Sequence, residues 1–464
     1  MPALRSTHVK QSFRSVILVL LGLLFLSACS PPTTTPTGAP LYSTPPEVTS
    51  SAPVSIAPTQ VPGSGASAVV VFVEDGHLLI WDEATGQTQI LFDADDAIKV
   101  TMSDDGQVVA FLRRTLVRRS ELDWYEESSL WAVDRNGANP RELVSADTLR
   151  DLLGASETDS SNIPEMTWIP GTHRLLYNGW TYLVMAEGES HAIPHGLYSV
   201  DADEGTQQVL VNAESILRFV VSPDGRQVAL LSPTDLAFVD ADGSNLRRDI
   251  LTYAQVGVPG PLFPTGVWTE DSQAFVMTES LEEDPAAGID FVISRVPANN
   301  SAPDQLASVS RSHPGSVTFS PDGRFAAFIQ YTDEVSPDIA GWFITPLGQG
   351  AGPLAIPRKL ELGYPSLHWS PDGRAFTGAL AELCPGATPD SEICESPISR
   401  GISAAIQWLD PTHLLLLNRD PSALFLVTLD PSGRMDATSE PIEVWPLEQS
   451  VGPQSFAAIK AAGG

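Results

Sequence analysis

A ten-residue pattern that recurs along the chain limits the folds available to it. Three clear copies, "VSPDGRQVAL", "FSPDGRFAAF" and "WSPDGRAFTG", begin at Val221, Phe319 and Trp369. Weaker copies begin at Met102, Trp168, Trp268 and Trp408. Neighbouring copies start 39 to 66 residues apart, and most spacings are near 50. A period of this size indicates an array of one supersecondary unit.

Each copy has the chemistry of a β-hairpin. The Asp side chain can bond to the backbone two residues on, and Gly adopts the positive φ that a tight turn between antiparallel strands needs. Apolar residues precede the turn and follow it, as in "QVALL" and "FAAFI". We therefore expect strand, turn and strand in every copy.

The remainder of each unit predicts two more strands. A third strand ends in a turn and a short fourth one follows, as in "LWAVDRNGANPREL" and "LAFVDADGSNLRRDI". Asp240, Asp242 and Gly243 invite comparison with a calcium loop, but the spacing of an EF-hand is absent and a turn is favoured. With 39 prolines and 35 glycines the chain favours turns over long helices. The expected fold is all-β: a β-propeller of four-stranded antiparallel blades.

Eight blades are expected. Seven hairpins are visible, and the segment "AVVVFVEDGHLLIWDEATGQTQIL" supplies three further strands without an innermost one. The tail "QSFAAIK", residues 454–460, is predicted to supply that strand and so to close the ring with both ends of the domain. Seven blades are the alternative, because the unit after Trp369 lacks clear third and fourth strands.

From about Ala66 to the C-terminus the chain resembles the TolB-type, WD-repeat-like β-propellers of bacteria. The resemblance rests on the "SPDGR" hairpin, the Trp or Phe before it and the "VDxxG" turn. It implies the fold. These propellers serve many purposes, so the resemblance does not imply one function.

Residues 1–28 have the pattern of a lipoprotein signal peptide. Three basic residues precede the apolar run "VILVLLGLLFL", which ends in the tetrad "LSAC". This run is shorter than the roughly 20 residues that cross a bilayer. The tetrad resembles the lipobox of bacterial lipoproteins, in which the cysteine, here Cys29, is lipidated. We expect a cell-envelope protein, lipid-anchored on the extracytoplasmic side; an ordinary signal peptide with a chance cysteine is the alternative.

Residues 29–65 are predicted to be a linker. They contain nine prolines and one charged residue, Glu47. Such a composition cannot bury enough surface to offset its chain entropy, and its prolines keep it extended. Residues 66–464 are then the propeller domain.

The net charge of the chain excludes some classes of binding partner. The formal charge of −31 at pH 7 repels nucleic acid and anionic lipid. We expect no nucleic-acid partner, and contact with the membrane through the lipid anchor only. One basic cluster contains Arg113, Arg114, Arg118 and Arg119. Acidic residues follow it within a few positions, which predicts a solvated loop with internal ion pairs.

Beyond Cys29, two cysteines are present, Cys384 and Cys394 in "CPGATPDSEIC". Exported chains meet oxidising conditions, so we predict that these two form a disulfide. A metal site there lacks a second Cys or His pair. His191 and His195 lie in an irregular stretch, and we predict neither a metal nor a cofactor.

The connections between the second and third strands are repeatedly long. They span about residues 113–128, 179–195, 279–290, 331–340 and 380–395. In a propeller all of them emerge on one face. The candidate binding residues on them are Trp124, Tyr125, Trp180, Tyr182 and Tyr331. Exposed aromatics with acidic neighbours are typical of recognition surfaces, although these rings also suit packing within their own loops.

The sequence favours a binding or scaffold module that recognises a protein, peptide or glycan through this long-loop face. No G-x-S-x-G nucleophile motif occurs, and no catalytic residue is predicted. The alternative is a hydrolase or lyase that uses carboxylates at the central channel. Carboxylates paired across the channel mouth would favour the enzyme, and an apolar, aromatic loop face would favour the binder.

Overall fold

Short antiparallel strands make up nearly all of the regular structure, because alternating apolar residues separated by Gly and Asp turns suit paired strands better than helices. The computed structural model describes residues 67–118, 124–156, 159–184, 190–212, 216–254, 263–281, 289–312, 314–331, 339–347, 354–355, 368–373, 375–377, 383–385, 402–419, 422–429, 442–446 and 456–460. The chain divides into two units, Met1–Ala57 and Pro58–Gly464, and all described residues belong to the second.

The first half of the domain contains four sets of strands, numbered in chain order. Blade 1 includes β1 (Ala68–Glu74), β2 (His77–Asp82) and β3 (Gln87–Phe92). Blade 2 consists of β4 (Ala97–Met102), β5 (Val108–Arg118), β6 (Trp124–Asp134) and β7 (Arg141–Val144). Helix α1 (Ala146–Leu153) and strand β8 (Ser160–Asn162) follow. Blade 3 consists of β9 (Met166–Trp168), β10 (Arg174–Val184), β11 (Ser190–Asp201) and β12 (Gln207–Val211), and blade 4 of β13 (Arg218–Val221), β14 (Gln227–Leu231), β15 (Asp235–Asp240) and β16 (Arg247–Thr252).

The second half continues the same order. Blade 5 consists of β17 (Gly266–Trp268), β18 (Ala274–Ser280), β19 (Ile289–Pro297) and β20 (Asp304–Ser312). A 3-10 turn (Pro314–Ser316) leads to blade 6, with β21 (Thr318–Phe319), β22 (Phe325–Tyr331), β23 (Ile339–Pro346) and β24 (Leu354–Ala355). Blade 7 has β25 (His368–Trp369), β26 (Ala375–Thr377) and β27 (Leu383–Pro385) within the described residues. Blade 8 consists of β28 (Ile402–Asp410), β29 (His413–Arg419), β30 (Ser422–Thr428) and β31 (Ile442–Pro446), and the last strand is β32 (Phe456–Lys460).

The recurring hairpin owes its sequence to a buried serine and a positive φ. In the copy that joins β13 to β14, Ser222 Oγ donates to Asp224 Oδ1 at 2.7 Å, and the Arg226 N–H donates to the same oxygen at 3.1 Å. Ser222 is fully buried, so its hydroxyl needs this partner. Gly225 has a φ of 69°, which favours glycine. Equivalent hydroxyl–carboxylate bonds join Ser103 to Asp105, Thr269 to Asp271, Ser320 to Asp322 and Ser370 to Asp372.

The tryptophan before the hairpin bonds to the preceding blade. Trp268 Nε1 donates to the Val220 carbonyl of β13 at 2.9 Å, and this ring is 1% exposed. Trp408 Nε1 donates in the same way to the His368 carbonyl at 3.0 Å. A buried indole N–H usually finds such a partner. Trp268 and Trp408 therefore join neighbouring blades as well as filling the core, whereas the buried indole N–H of Trp168 has no hydrogen-bond partner among the described residues.

The ring is closed by its two ends. β32 pairs with β1 from Phe72↔Phe456 to Ala68↔Lys460, so the sheet order of blade 1 is β3-β2-β1-β32. β32 also lies beside β4 on one side and β28 on the other. One hydrophobic cluster joins Trp81 of blade 1 to buried leucines of blade 8. The predicted eight-bladed propeller closed by the C-terminal strand is therefore confirmed.

The two faces of the propeller differ, and we name them by their connections. The turn face carries the tight turns, such as those at Gly225 and Gly243. The hairpin face carries the connections between second and third strands, such as that between β5 and β6. β1 runs from the turn face at Ala68 to the hairpin face at Glu74. The chain therefore enters the propeller on the turn face.

Helix α1 is an insertion that the repeat pattern does not contain. Ser145 caps it by accepting from the Thr148 N–H, and Gly154 ends it with a φ of 63°. Its buried side chains are Leu149 and Leu153. The insertion accounts for the longest spacing between hairpins. No helix in the described ranges has the length and apolar character needed to cross a membrane.

Candidate functional site

The second and third strands of blades 2 and 3 extend beyond their inner neighbours on the hairpin face. β5 and β6 have 11 residues each, whereas β4 has six. β10 and β11 have 11 and 12, whereas β9 has three. The β5–β6 register is unbroken from Val108↔Asp134 to Arg118↔Trp124. The prediction that the first two long connections are loops is therefore wrong. They consist largely of strands that form two long hairpins.

Strand β8 joins these two hairpins. It pairs antiparallel with residues 180–182 of β10 and parallel with β6 at Glu127↔Ser161. Buried Ser128 donates from Oγ to Asn162 Oδ1 at 2.9 Å. Blades 2 and 3 consequently share one nine-stranded sheet. The two hairpins form a rigid platform.

Helix α1 supports this platform from the side. Arg150 of α1 pairs with Glu127 of β6. A Cβ on Gly179 in β10 would lie 2.3 Å from Leu153 Cδ2, so a larger residue there would have to displace the Leu153 side chain. Helix α1 therefore packs directly against both hairpins.

The structure separates the five predicted aromatic residues. Trp180 and Tyr182 lie together on β10 with ring centroids 6.2 Å apart. Trp180 is only 7% exposed and belongs to a core cluster, so the expectation of an exposed ring is wrong for this residue. Tyr182 is half-buried, and burial raises the pKa of its phenol.

The other three aromatics lie on two different blades. Tyr125 is half-buried on β6, opposite Val117, and Tyr331 is half-buried at the end of β22 in blade 6. The Trp124 backbone begins β6, but its side chain is outside the described part. The five residues therefore do not form one patch. Their role in binding stays a prediction.

Three arginines of the predicted loop, Arg113, Arg114 and Arg118, lie on β5, whereas Arg119 lies outside the described residues. Arg113 Nε and Nη2 donate to the two carboxylate oxygens of Asp96 at 2.8 and 2.9 Å, and its guanidinium lies 4.9 Å from the Trp131 ring centroid. These bonds with Asp96 raise the pKa of Arg113. Arg114 Nη1 lies 3.3 Å from Glu126 Oε1 across the hairpin. Internal ion pairs are present as expected, but one joins β5 to the residue before β4 and the other joins β5 to β6.

The cysteine predictions fall largely outside the described residues. Cys384 lies on β27, with its backbone opposite Phe376. Cys394 and Cys29 lie outside the described ranges. Lipidation of Cys29 and the disulfide between Cys384 and Cys394 therefore stay predictions.

Charged side chains at the beginnings of three innermost strands were missed by the sequence interpretation. Lys99, Glu165 and Arg218 lie on or next to the innermost strands of blades 2, 3 and 4. Each stands three residues before the first residue of a hairpin motif, a register that would have identified them. Arg218 Nε donates to Glu165 Oε1 at 3.2 Å, and the Phe219 N–H donates to Oε2 at 3.3 Å.

Lys99 completes this cluster. Its Nζ donates to the Pro164 carbonyl at 2.5 Å. Burial lowers the pKa of Lys99, and the negative charge of Glu165 opposes that shift. Glu165 is thus surrounded by cations instead of a second carboxylate. Within the described residues, no group of three or more His, Cys, Asp or Glu side chains is placed to hold a metal ion.

The turn face carries a histidine between two carboxylates. His173 Nδ1 lies 2.8 Å from Asp203 Oδ2, and His173 Nε2 lies 3.1 Å from Asp105 Oδ2. Burial opposes protonation, but the bonds to both carboxylates raise the pKa of His173 above its ordinary value. Asp105 belongs to blade 2 and the other two residues to blade 3. This triad therefore links two blades on the turn face.

Comparison with known proteins bears on the fold alone. No protein-family profile and no curated protein sequence matches this chain. The β-propeller domain of the Trilobed protease from Pyrococcus furiosus is 12% identical; the match covers 76% of this chain and all of that domain, with a TM-score of 0.42. A structure described as TolB from Agrobacterium tumefaciens is 15% identical over 56% of this chain and 96% of that one, with a TM-score of 0.25.

A prolyl endopeptidase structure is 10% identical; the match covers 75% of this chain and 49% of that one, with a TM-score of 0.46. At such identities a shared propeller says nothing of shared chemistry. The propeller assignment rests on the strand pairing of this chain itself.

Proposed function

We propose that this protein is a lipid-anchored, extracytoplasmic binding or scaffold module of the cell envelope, and that its hairpin face recognises a protein, peptide or glycan. The platform of β5–β6 and β10–β11, locked by β8, carries this proposal. Rigid presentation lowers the entropy lost on binding, which favours affinity. In this proposal Cys29 carries the lipid and residues 29–65 form the tether.

Exposed apolar side chains on the hairpin face support the proposal. Leu116 at the end of β5 is 57% exposed, and Leu281 after β18 is 55% exposed. Tyr125 and Tyr182 lie half-buried on the same face. Apolar and aromatic groups at the centre with polar groups around them are the usual makeup of an interface. The hairpin face thus has anchor residues on more than one blade.

The position where the chain enters the propeller agrees with this use of the hairpin face. β1 starts at Ala68 on the turn face. The long hairpins lie on the opposite face.

The described charged cluster on blades 2 to 4 does not present the paired carboxylates of the alternative, a carboxylate-based hydrolase or lyase. Such catalysis needs one carboxyl group to act as acid and another as base or nucleophile. Glu165 instead accepts hydrogen bonds from Arg218 and the Phe219 N–H, and Lys99 lies nearby. This arrangement suits a structural bridge between blades 3 and 4.

Site-specific photo-crosslinking tests the proposal in cells that produce the full chain. A photoreactive residue replaces Leu281 on the hairpin face in one variant, and Arg226 on the turn face in a control variant; the side chain of Arg226 is 65% exposed. We expect discrete adducts from the position of Leu281 and none from that of Arg226. The adduct is then identified by mass spectrometry and its affinity measured with purified components.

The crosslinking results show which face of the propeller binds the partner. Equal adducts from both positions, or adducts from the turn face alone, contradict recognition by the hairpin face. If no position on either face gives an adduct, the binding proposal is wrong.

A further inference from the structure

Above β4, none of the described strands pairs with the inner edge of β5. β4 pairs with β5 as far as Ala97↔Arg113, and the Arg114 N–H donates to the Asp96 carbonyl at 2.9 Å. Beyond Arg114, no strand in the described part of the chain pairs with this edge. Residues 114–118 therefore present an edge of about 16 Å.

The backbone groups of Leu116 point out of this edge. Because the Arg114 N–H bonds away from β6, the pair Arg114↔Ser128 is a non-hydrogen-bonded pair of the β5–β6 ladder. The register has no bulge, so Leu116↔Glu126 is a pair of the same kind. The N–H and C=O of Leu116 consequently face away from β6. They are a donor and an acceptor ready for another strand.

Blade 3 shows what such an edge accepts. There the inner edge of β10 is paired with β9 at residues 175–177 and, farther out, with β8 at residues 180–182. Strand β8 is thus a short antiparallel strand added above the innermost strand. The corresponding position in blade 2, above β4, is the open edge at Leu116.

Side chains along the edge define the chemistry of an added strand. Arg114, Leu116 and Arg118 point to the same side, since side chains alternate along a strand. Leu116 is 57% exposed. The Arg114–Glu126 pair is nearly half exposed on both sides, and such a pair contributes little stability. Two of the three side chains on this side of the edge are therefore basic, in a chain of net charge −31.

We propose that the Leu116 edge of β5 binds an extended segment of a partner protein by antiparallel strand addition, with acidic residues opposite Arg114 and Arg118 and an apolar residue opposite Leu116. Backbone bonds give the affinity in this mode, and alternate side chains give the specificity. A second copy of the same edge is disfavoured, because antiparallel self-pairing would set arginine against arginine. The proposal rests on the function proposed above and names its partner class.

A labelled heptapeptide is the probe. Its central valine is separated by one threonine on each side from an aspartate, so that acidic, apolar and acidic residues match the edge. Binding to the full chain in detergent is measured by fluorescence anisotropy. A peptide of equal composition with both aspartates at one end should bind at least about fivefold more weakly, since one arginine then has no aspartate of the peptide opposite it.

Two substitutions of Leu116 distinguish the contribution of its backbone N–H to binding from that of its side chain. Leu116→Pro removes the outward N–H but leaves the β6 ladder intact, because proline is tolerated on an edge whose N–H faces solvent. It should weaken binding at least about tenfold, while Leu116→Thr, which keeps the N–H, should weaken it about threefold.

Arg114→Gln should weaken binding at low salt and have little effect at about 1 M salt. Arg226→Gln on the turn face is the matched charge control and should bind like the parent.

A modified peptide keeps the test independent of variant folding. N-methylation of the central valine removes the donor that would meet the Leu116 carbonyl, and it should weaken binding to the unchanged protein about tenfold. Equal binding by the methylated and unmethylated peptides overturns strand addition. Equal binding by the parent and a folded Leu116→Pro variant does the same. If crosslinks at Leu281 persist in either case, the binding module stands and only its partner class is wrong.

Discussion

Removing the ring-closing strand should destabilise the whole propeller. Deletion of residues 456–464 takes away β32, which pairs with β1 at five register positions. About five ladder bonds at about 1 kcal/mol each give a loss on the order of 5 kcal/mol. The deletion also uncovers the fully buried Val69 and Val71 of β1. With an unfolding entropy of about 2.1 cal/mol/K per residue over about 400 residues, the midpoint should fall by about 6 °C.

Thermal melting of the full chain, followed by circular dichroism, measures this loss. A chain that ends after Lys460 is the matched control and should melt like the parent. A synthetic peptide of residues 454–464 added to the truncated chain should recover part of the midpoint, since binding to the folded state stabilises it. A truncated chain that melts within about 1 °C of the parent would refute closure by β32.

Three further predictions concern a histidine, the lipidated cysteine and the disulfide. The raised pKa of His173 means that its protonated form stabilises the folded state fully below the ordinary pKa of about 6.5, and that this contribution disappears as pH rises through the folded-state value. The melting midpoint of the parent should therefore exceed that of His173→Gln more at about pH 6 than at about pH 9; an equal difference at both pH values contradicts this. Cys29→Ser should leave the precursor unlipidated and move it out of the detergent phase on fractionation; unchanged partitioning refutes the lipid anchor. Mass spectrometry of unreduced protein should find Cys384 joined to Cys394, and two free thiols after purification in air would contradict the disulfide.

Local chemistry explains why the repeat and its closure were predictable. The buried serine, the Asp acceptor and a glycine at positive φ occupy neighbouring positions, so "SPDGR" carries the complete hairpin signal. The segment from Ala68 supplied three strands and lacked an inner one, and the tail supplied the apolar residues for it. Both inferences needed only backbone pairing and alternation.

The hairpin platform was not predictable because its strands depend on distant partners. "RRTLVRRSELDWYEES" is rich in charge and reads as a loop. In the folded protein Arg113 bonds to Asp96, and Ser128 bonds to Asn162 on β8, 34 positions away. Helix α1 has eight residues, too few for a convincing helical period. Tertiary contacts thus overrode local propensity.

Burial of Trp180 has the same cause. Its ring was placed on an exposed face because the residues after it form a polar connection in the sequence. In the structure β8 pairs with its backbone and the ring enters a core cluster with Leu217 and Phe263. The charged cluster of Lys99, Glu165 and Arg218 is not visible within any one repeat unit. It becomes visible only when equivalent positions of successive units are compared.

The pairing of β1 on both edges determines how the domain carries mechanical load. A pull on the chain before Ala68 acts along β1, which is held by β2 at six register positions and by β32 at five. Ladder bonds lie perpendicular to the strands, so a pull along β1 loads both ladders in shear instead of opening them one bond at a time. Extraction of β1 under tension should therefore be slow, and its rate is an unfolding rate that force spectroscopy measures directly.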